Sequence, residues 1–209
     1  MCDGAGSTHF GGFGANIVCR TVTESARTHF LKQPELPSDD VLWSWIDEAR
    51  DRINQSALSR NIERREFSST LVTVVATSTA TLIFHIGDGA AVTQINGTWE
   101  AASWPAHGEY ASQTFFVTED PAPQLRITRL EAAISGVALF SDGIERLVLD
   151  FVNQTAPAPF FDTMMKPLAS SAIVGRDQKL CASLKRYLDG ERINERTDDD
   201  KSLILALRR

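Results

Sequence analysis

Three short acidic turns stand out along the chain: Asp3-Gly4-Ala5-Gly6 near the start, Ser141-Asp142-Gly143 further on, and Asp198-Asp199-Asp200 close to the end. Each adjoins a predicted strand, or a place where a strand is expected. Ser141-Asp142-Gly143 follows the apolar run Val137 to Phe140, and the triple aspartate precedes the run Ser202 to Leu207. Carboxylates at strand ends can converge on one cleft. Held close, they repel one another unless a cation intervenes. Oxygen-only ligands select hard ions, Mg²⁺ or Mn²⁺, over zinc or copper. A glycine after the aspartate lets the backbone approach closely, and its carbonyl can serve as a ligand. Taken singly, an Asp-Gly pair is a common turn and a run of aspartates can be a solvated loop. The weight lies on the set and its order.

The elements that must position these turns follow from periodicity. Gly14 to His29 carries Ile17, Val18, Val22 and Ala26 at helical spacing. Pro34 and Pro37 break it. Ser38 then caps a second helix with Leu42, Trp45, Ile46, Ala49 and Ile53 on one face. Trp43 lies on another face of that helix. Leu71 to Ala76 and Thr81 to Ile86 read as a hairpin, Ala90 to Ile95 as a third strand, and Asn96-Gly97 as the turn into Thr98 to Ala102. Ser103 to Pro123 reads as a loop with one short strand near Phe115. Leu125 to Leu130 and Val137 to Ser141 are expected strands. Ile144 to Phe151 is expected to be a short helix, Pro157 to Pro167 irregular, Ser170 to Leu188 a helix and Ser202 to Leu207 the last strand. Helices, then antiparallel strands, then helices argue for an α+β layered fold rather than alternating βαβ units.

Bulk properties narrow the function. The 209 residues carry a net charge of -6, with 43% hydrophobic and 23% charged residues. One domain over residues 1–209 is the default. The acidic balance lacks the basic footprint of nucleic-acid binding. Cys2, Cys19 and Cys181 form no CxxC pair, so no zinc knuckle is indicated, and so sparse a count fits a reducing compartment. No signal peptide is evident. The apolar stretch Thr70 to Gly87 is broken by Thr77-Ser78-Thr79 and reads as strands, not a membrane span. A cytoplasmic protein without a membrane partner is expected.

Five motifs in order resemble one family, the metal-dependent Ser/Thr protein phosphatases of the 2C (PPM) type. They are Asp3-Gly4-Ala5-Gly6, Ser68-Ser69-Thr70-Leu71-Val72, Ile86-Gly87-Asp88-Gly89, Phe140-Ser141-Asp142-Gly143 and Asp199-Asp200-Lys201-Ser202-Leu203. Ala5, where other members carry histidine, resembles the bacterial branch. The resemblance implies a four-layer α-β-β-α sandwich of two antiparallel sheets flanked by helix pairs. It implies two Mg²⁺ or Mn²⁺ ions, with room for a third. Asp3 would bridge two metals, the Gly4 carbonyl would complete one of them, and Asp142 and Asp199 would bind on the second-metal side. A bridging hydroxide would attack the phosphorus of a phosphoserine or phosphothreonine in line. The substrate would be a phosphoprotein, with a Ser/Thr kinase as a further partner. Asp88 is read as structural, holding its turn.

Against that pattern the N-terminal strands, an arginine that grips phosphate and an acidic pair have no counterpart before Asp3. Neighbouring backbone groups are then expected to be unpaired. A general acid could come from His9 or His85, although His85 reads as a sheet-face residue. A flap ligand could come from Glu109, Glu119 or Asp120, and a surrogate phosphate-binding arginine from Arg20, Arg64 or Arg65. The alternative reading is a catalytically impaired phosphatase-like module that binds a phosphoprotein or kinase partner.

Overall fold

The computed structural model describes residues 1–106 and 114–208. Helix α1 spans Gly11–Lys32 and α2 spans Asp39–Arg60. The start of α2 follows from its sequence. The Ser38 hydroxyl accepts a hydrogen bond from the Val41 amide, and Asp39 and Asp40 sit at the positive end of the helix dipole. Its end is set by Asn61, whose φ of 54° takes the chain out of the helix.

Two antiparallel sheets follow. β1 (Leu71–Ala76), β2 (Thr81–Ile86) and β5 (Arg126–Leu130) pair in the order β1-β2-β5. β3 (Ala90–Ile95), β4 (Thr98–Ser103), β6 (Gly136–Phe140) and β7 (Leu203–Leu207) pair in the order β4-β3-β6-β7. Asn96 and Gly97 both take positive φ and close the β3–β4 hairpin, as that residue pair predicts. Three helices complete the chain: α3 (Asp142–Val148), α4 (Ala158–Ser170) and α5 (Gln178–Leu188), followed by the short α6 (Glu191–Asn194).

Strand alternation produces the layers. In β2, Leu82, Phe84 and Ile86 face the α1–α2 pair in a core with Val18, Leu42, Ile46 and Ile53. Ile83 faces the other way and meets Val72, Ala91 and Leu139 between the sheets. In β6, Ala138 and Phe140 turn outward to a third core with Ile144, Phe161 and Met165. The architecture is the expected α+β sandwich of two antiparallel sheets with helices on both outer faces. Among the described residues no helix is long and apolar enough to cross a membrane.

Several local expectations differ from what forms. The segment Pro157 to Pro167 is helical as α4, because Phe161 and Met165 bury one face against the second sheet and outweigh the prolines. Ser170 to Leu188 is not one helix. The chain breaks after Ser170, the Ser171 hydroxyl donates to Asp177, and Asp177 caps α5 by accepting from the Lys179 and Leu180 amides. Phe115 lies in no strand, although Val117 donates its amide to the Ser69 carbonyl. α3 starts at Asp142, ahead of the predicted Ile144.

The first residues run antiparallel to Ser68–Val72. The Val72 amide donates to the Met1 carbonyl at 2.8 Å, and the Thr70 amide to the Asp3 carbonyl at 2.8 Å. Gly4 bridges Ser69. The β1 flank expected to be bare is thus paired over this stretch. Alternation then sends Met1 into the core between the sheets and Cys2 into the core under α1.

Helix α1 lies hard against this framework at Gly14, where an added Cβ would come within 1.9 Å of the Phe67 carbonyl oxygen. The Gly14→Ala variant is expected to lose about 1–3 kcal/mol of stability in denaturant titration. Gly12→Ala, with open space at that position, should stay within about 1 kcal/mol of the parent.

Candidate active site

The site is built from backbone outward. β6 runs straight into Ser141, whose amide donates to the Ser202 carbonyl at 3.1 Å, while its hydroxyl accepts from the Ser202 amide at 3.1 Å. These bonds lock the end of β6 to the start of β7. The same hydroxyl donates to the Asp200 carbonyl. Next comes Gly143, where a Cβ would sit 2.1 Å from the Asp200 carbonyl oxygen. Only glycine lets the Asp142 turn and the Asp198–Lys201 loop approach so closely. On the opposite sheet, the Thr70 hydroxyl accepts from the Asp3 amide at 3.2 Å and fixes the strand that bears Asp3.

Electrostatics show which carboxylates share this seam. Asp3 is half-buried and its pKa is raised, first by burial and then by the charges of Asp199 and Asp200, against the nearby Ser141 hydroxyl, which lowers it. Asp142 is raised to about 7 by burial, then by Asp88, Asp199 and Asp3. Glu145 lies one helical turn beyond Asp142 on α3 and is 4% exposed. It is raised to about 8 by burial and by Asp88 and Asp142, although Arg146 lies 3.9 Å from it. Asp88 is itself buried and accepts a hydrogen bond from the Thr114 hydroxyl.

The structure therefore brings Asp3, Asp142 and Asp199 within electrostatic reach of one another, and adds Asp88 and Glu145. Asp199 acts on both Asp3 and Asp142, and Asp200 on Asp3; Asp198 is not among the charges acting on either. Gly4 is held against α1, where a Cβ would meet the Gly11 carbonyl carbon at 2.2 Å. Asp142 and Asp199 each turn one oxygen onto the following backbone amide, at 2.9 and 2.8 Å. As placed, no three acidic, histidine or cysteine side chains among the described residues form a group that could hold a metal ion. The chemistry of the donor set nevertheless fits a hard divalent cation. It is all oxygen, and its members Asp3 and Asp142 are raised in pKa by burial and then by neighbouring negative charge, which such a cation relieves.

The other sequence candidates lie apart from these carboxylates. His85 is buried with Ser103 and Arg126, each 2.8 Å from Nδ1, and burial and then Arg126 lower its pKa to about 3. A histidine so held is neutral and is no proton donor of ordinary strength. His9 is exposed, its amide donating to Glu66. Asp120 is exposed and held by Arg64, with Arg50 at 3.6 Å. Glu119 accepts from the Phe116 amide. Glu109 lies outside the described residues. Arg65 pairs with Glu63 at 2.7 Å, and Arg20 lines a groove of about 530 Å³ between α1 and α2. Glu145 escaped the sequence reading, although its spacing of three from Asp142 puts both on one face of a helix starting at Asp142.

Comparison with known proteins now bears on this arrangement. Two solved structures share the fold: the serine/threonine phosphatase Stp1 from Staphylococcus aureus (TM-score 0.61, 17% identity, 100% of this chain and 82% of that one) and the catalytic domain of the serine/threonine protein phosphatase PstP in complex with two manganese ions (TM-score 0.61, 14% identity, 98% and 84%). At those identities they speak for the architecture alone. Sequence similarity goes further. The chain is 34% identical over 213 residues to serine/threonine-protein phosphatase 3 of Escherichia coli (strain K12), covering 99% of this chain and 82% of that protein. Residues 1–189 match the family described as protein phosphatase 2C. The chain belongs to the protein phosphatase 2C family, the class its five motifs resemble.

The raised acids give a testable pH dependence. An acid whose folded-state pKa exceeds its unfolded value costs stability as it ionises, because the folded state binds more protons than the unfolded one across that window. For Asp142 the window runs from the ordinary 3.8 to about 7, and for Glu145 from 4.5 to about 8. In EDTA, the Tm of the chain should fall between about pH 5 and about pH 8. Asp142→Asn should make that slope shallower. An unchanged slope in the variant would show that Asp142 is not a buried acid.

Proposed function

We propose that this chain is a Mg²⁺- or Mn²⁺-dependent phosphoprotein phosphatase that hydrolyses phosphoserine and phosphothreonine in the cytoplasm, acting as one phosphatase-like domain. The observation that carries the reading is the mutual charge interaction of Asp3, Asp142 and Asp199, which come from both sheets and from turns far apart in sequence. Asp3, the Gly4 carbonyl, Asp142 and Asp199 would hold two cations, and Glu145 and Asp88 face the same region from α3 and the β2–β3 turn. Bound there, the cations supply a water of lowered pKa and neutralise charge on the phosphoryl oxygens.

The chain's own residues do the positioning. Ser141 and Ser202 fix the acidic turns of the second sheet, and Thr70 fixes Asp3 on the first. Burial and crowding favour the protonated forms of Asp3 and Asp142, so a cation bound there would compete with protons for them. The leaving serine or threonine oxygen takes its proton from solvent, since His85 is neutral and enclosed and His9 has no contact with the carboxylates among the described residues. The phosphoprotein substrate would come from a Ser/Thr kinase.

The test is hydrolysis of a phosphothreonine peptide with Mn²⁺ and with EDTA. Turnover should require Mn²⁺, and Asp142→Ala should fall to the chelated level. Retention of the parental rate in Asp142→Ala would overturn the site assignment. Tm should also rise with Mn²⁺ in the parent, because a ligand that binds only the folded state stabilises it. Metal-dependent stabilisation without turnover would instead make the chain a phosphatase-like binding module.

A further inference from the structure

Helix α3 leads from the carboxylates into a groove. Asp142 opens the helix, Glu145 stands about one turn on, and Arg146 follows it four residues after Asp142. The Arg146 side chain is 81% exposed, and its Nε lies 3.9 Å from Glu145, too far for a hydrogen bond. Arg146 also lines a groove of about 640 Å³, together with Leu147, Phe151, Pro157 and Phe160. Leu147 and Phe160 are partly buried against the outer core of the second sheet, which fixes them. Phe151 is 42% exposed. It rides on a tight turn in which Asp150 and Thr155 exchange two backbone hydrogen bonds, at 2.9 and 3.1 Å. Its ring meets Trp104 edge-on, with centroids 5.6 Å apart. Asp150, which also lines the groove, turns its carboxylate onto the Val152 and Asn153 amides of that turn. The groove is therefore preformed, with apolar walls and an open guanidinium at the end nearer the carboxylates.

We propose that this groove holds the segment of the phosphoprotein substrate next to the phosphorylated residue, with Arg146 against the phosphoryl group and an apolar side chain of the segment on Phe151 and Phe160. The inference rests on the phosphatase reading of the carboxylates and adds to it a basis for choosing among substrates. Continuity fixes the register. α3 begins at Asp142 and ends at Val148, and its 7 residues rise by about 10 Å. An extended peptide covers that length in about three residues. The apolar contact therefore falls about three positions from the phosphorylated residue. Charge fixes the orientation. A phosphoryl dianion suits a guanidinium whose donors are open, because the planar fork matches two phosphoryl oxygens. Rigidity supplies the anchor. An exposed aromatic ring on a closed turn loses little freedom when a partner covers it, and such rings carry much of the energy of protein contacts.

The test is fluorescence anisotropy with the full chain in Mn²⁺ and labelled peptides that carry a non-hydrolysable phosphonate analogue of phosphothreonine. One peptide has serine at every flanking position. Two others carry leucine at the third position before or after the phosphonate. One leucine peptide should bind about fivefold tighter than the serine peptide, or better. Phe151→Ala should bring its Kd to within roughly twofold of the serine peptide. Arg146→Ala should weaken all three peptides by about fivefold or more and leave the leucine preference in place, and Arg146→Lys should recover part of that loss. Both positions are exposed, and a Tm equal to the parent's identifies the folded variants. Equal affinity for the three peptides, a leucine preference that survives Phe151→Ala, or phosphonate binding indifferent to Arg146→Ala would each overturn the proposal. Turnover of a phosphothreonine peptide without a leucine preference would overturn the groove and leave the phosphatase reading standing. Leucine-selective binding without turnover would support the groove and overturn that reading.

Discussion

Like charges resist being gathered, and this fold gathers them. Asp3 and Asp142 lose hydration as they enter the seam between the sheets, which is the larger cost, and repulsion from one another and from Asp199 adds to it. What holds them is backbone. The exchange of hydrogen bonds between Ser141 and Ser202 ties two acidic turns into one rigid corner. The missing side chain at Gly143 lets a carbonyl sit where a Cβ would be. Asp3 arrives from the opposite sheet on a strand clamped along Ser68–Val72. The corner is thus strained electrostatically but fixed mechanically, which is the condition a cation site requires before the cation arrives.

The apolar layers make that possible by keeping the two sheets in a constant relation. Each sheet has its own outer core, one under α1 and α2 and one under α3, α4 and α5. Between them the core is narrow, with Val72, Ile83, Ala91 and Leu139 as its buried members. Three branched aliphatic side chains and Ala91 fill it, and polar groups take over at the end. His85 accepts from Ser103 and Arg126, and Arg126 also donates to the Trp104 carbonyl at 2.6 Å. A guanidinium brought in beside a neutral imidazole is tolerated because hydroxyl and carbonyl groups surround it.

The fold was legible where one signal decided each element. Ser38 and the Asp39-Asp40 pair announce α2, Asn96-Gly97 announces a hairpin, and alternation in Thr81 to Ile86 separates His85 from the helix-facing core. It was less legible where signals compete. Three prolines between Pro157 and Pro167 conceal α4, whose apolar face gains its advantage only once the second sheet is present. The break at Ser171 depends on a hydroxyl–carboxylate contact six residues apart, which periodicity does not register. Of the site, the acidic turns and their order could be read directly. Glu145 could have been, from its spacing on a helix begun by the same motif. Asp88 was seen but assigned to its turn, because the charge it exerts on Asp142 and Glu145 exists only after the sheets stack.

The second sheet ends at β7, and there alternation leaves one flank uncovered. Leu203, Leu205 and Leu207 pack outward with the helices, whereas Ile204 is 45% exposed on the opposite side. Among the described residues β7 is paired by β6 alone. A row of backbone donors and acceptors beside an exposed isoleucine is a template that another extended chain can join. The same order of strands that concentrates negative charge at one end of β7 therefore leaves its length adhesive.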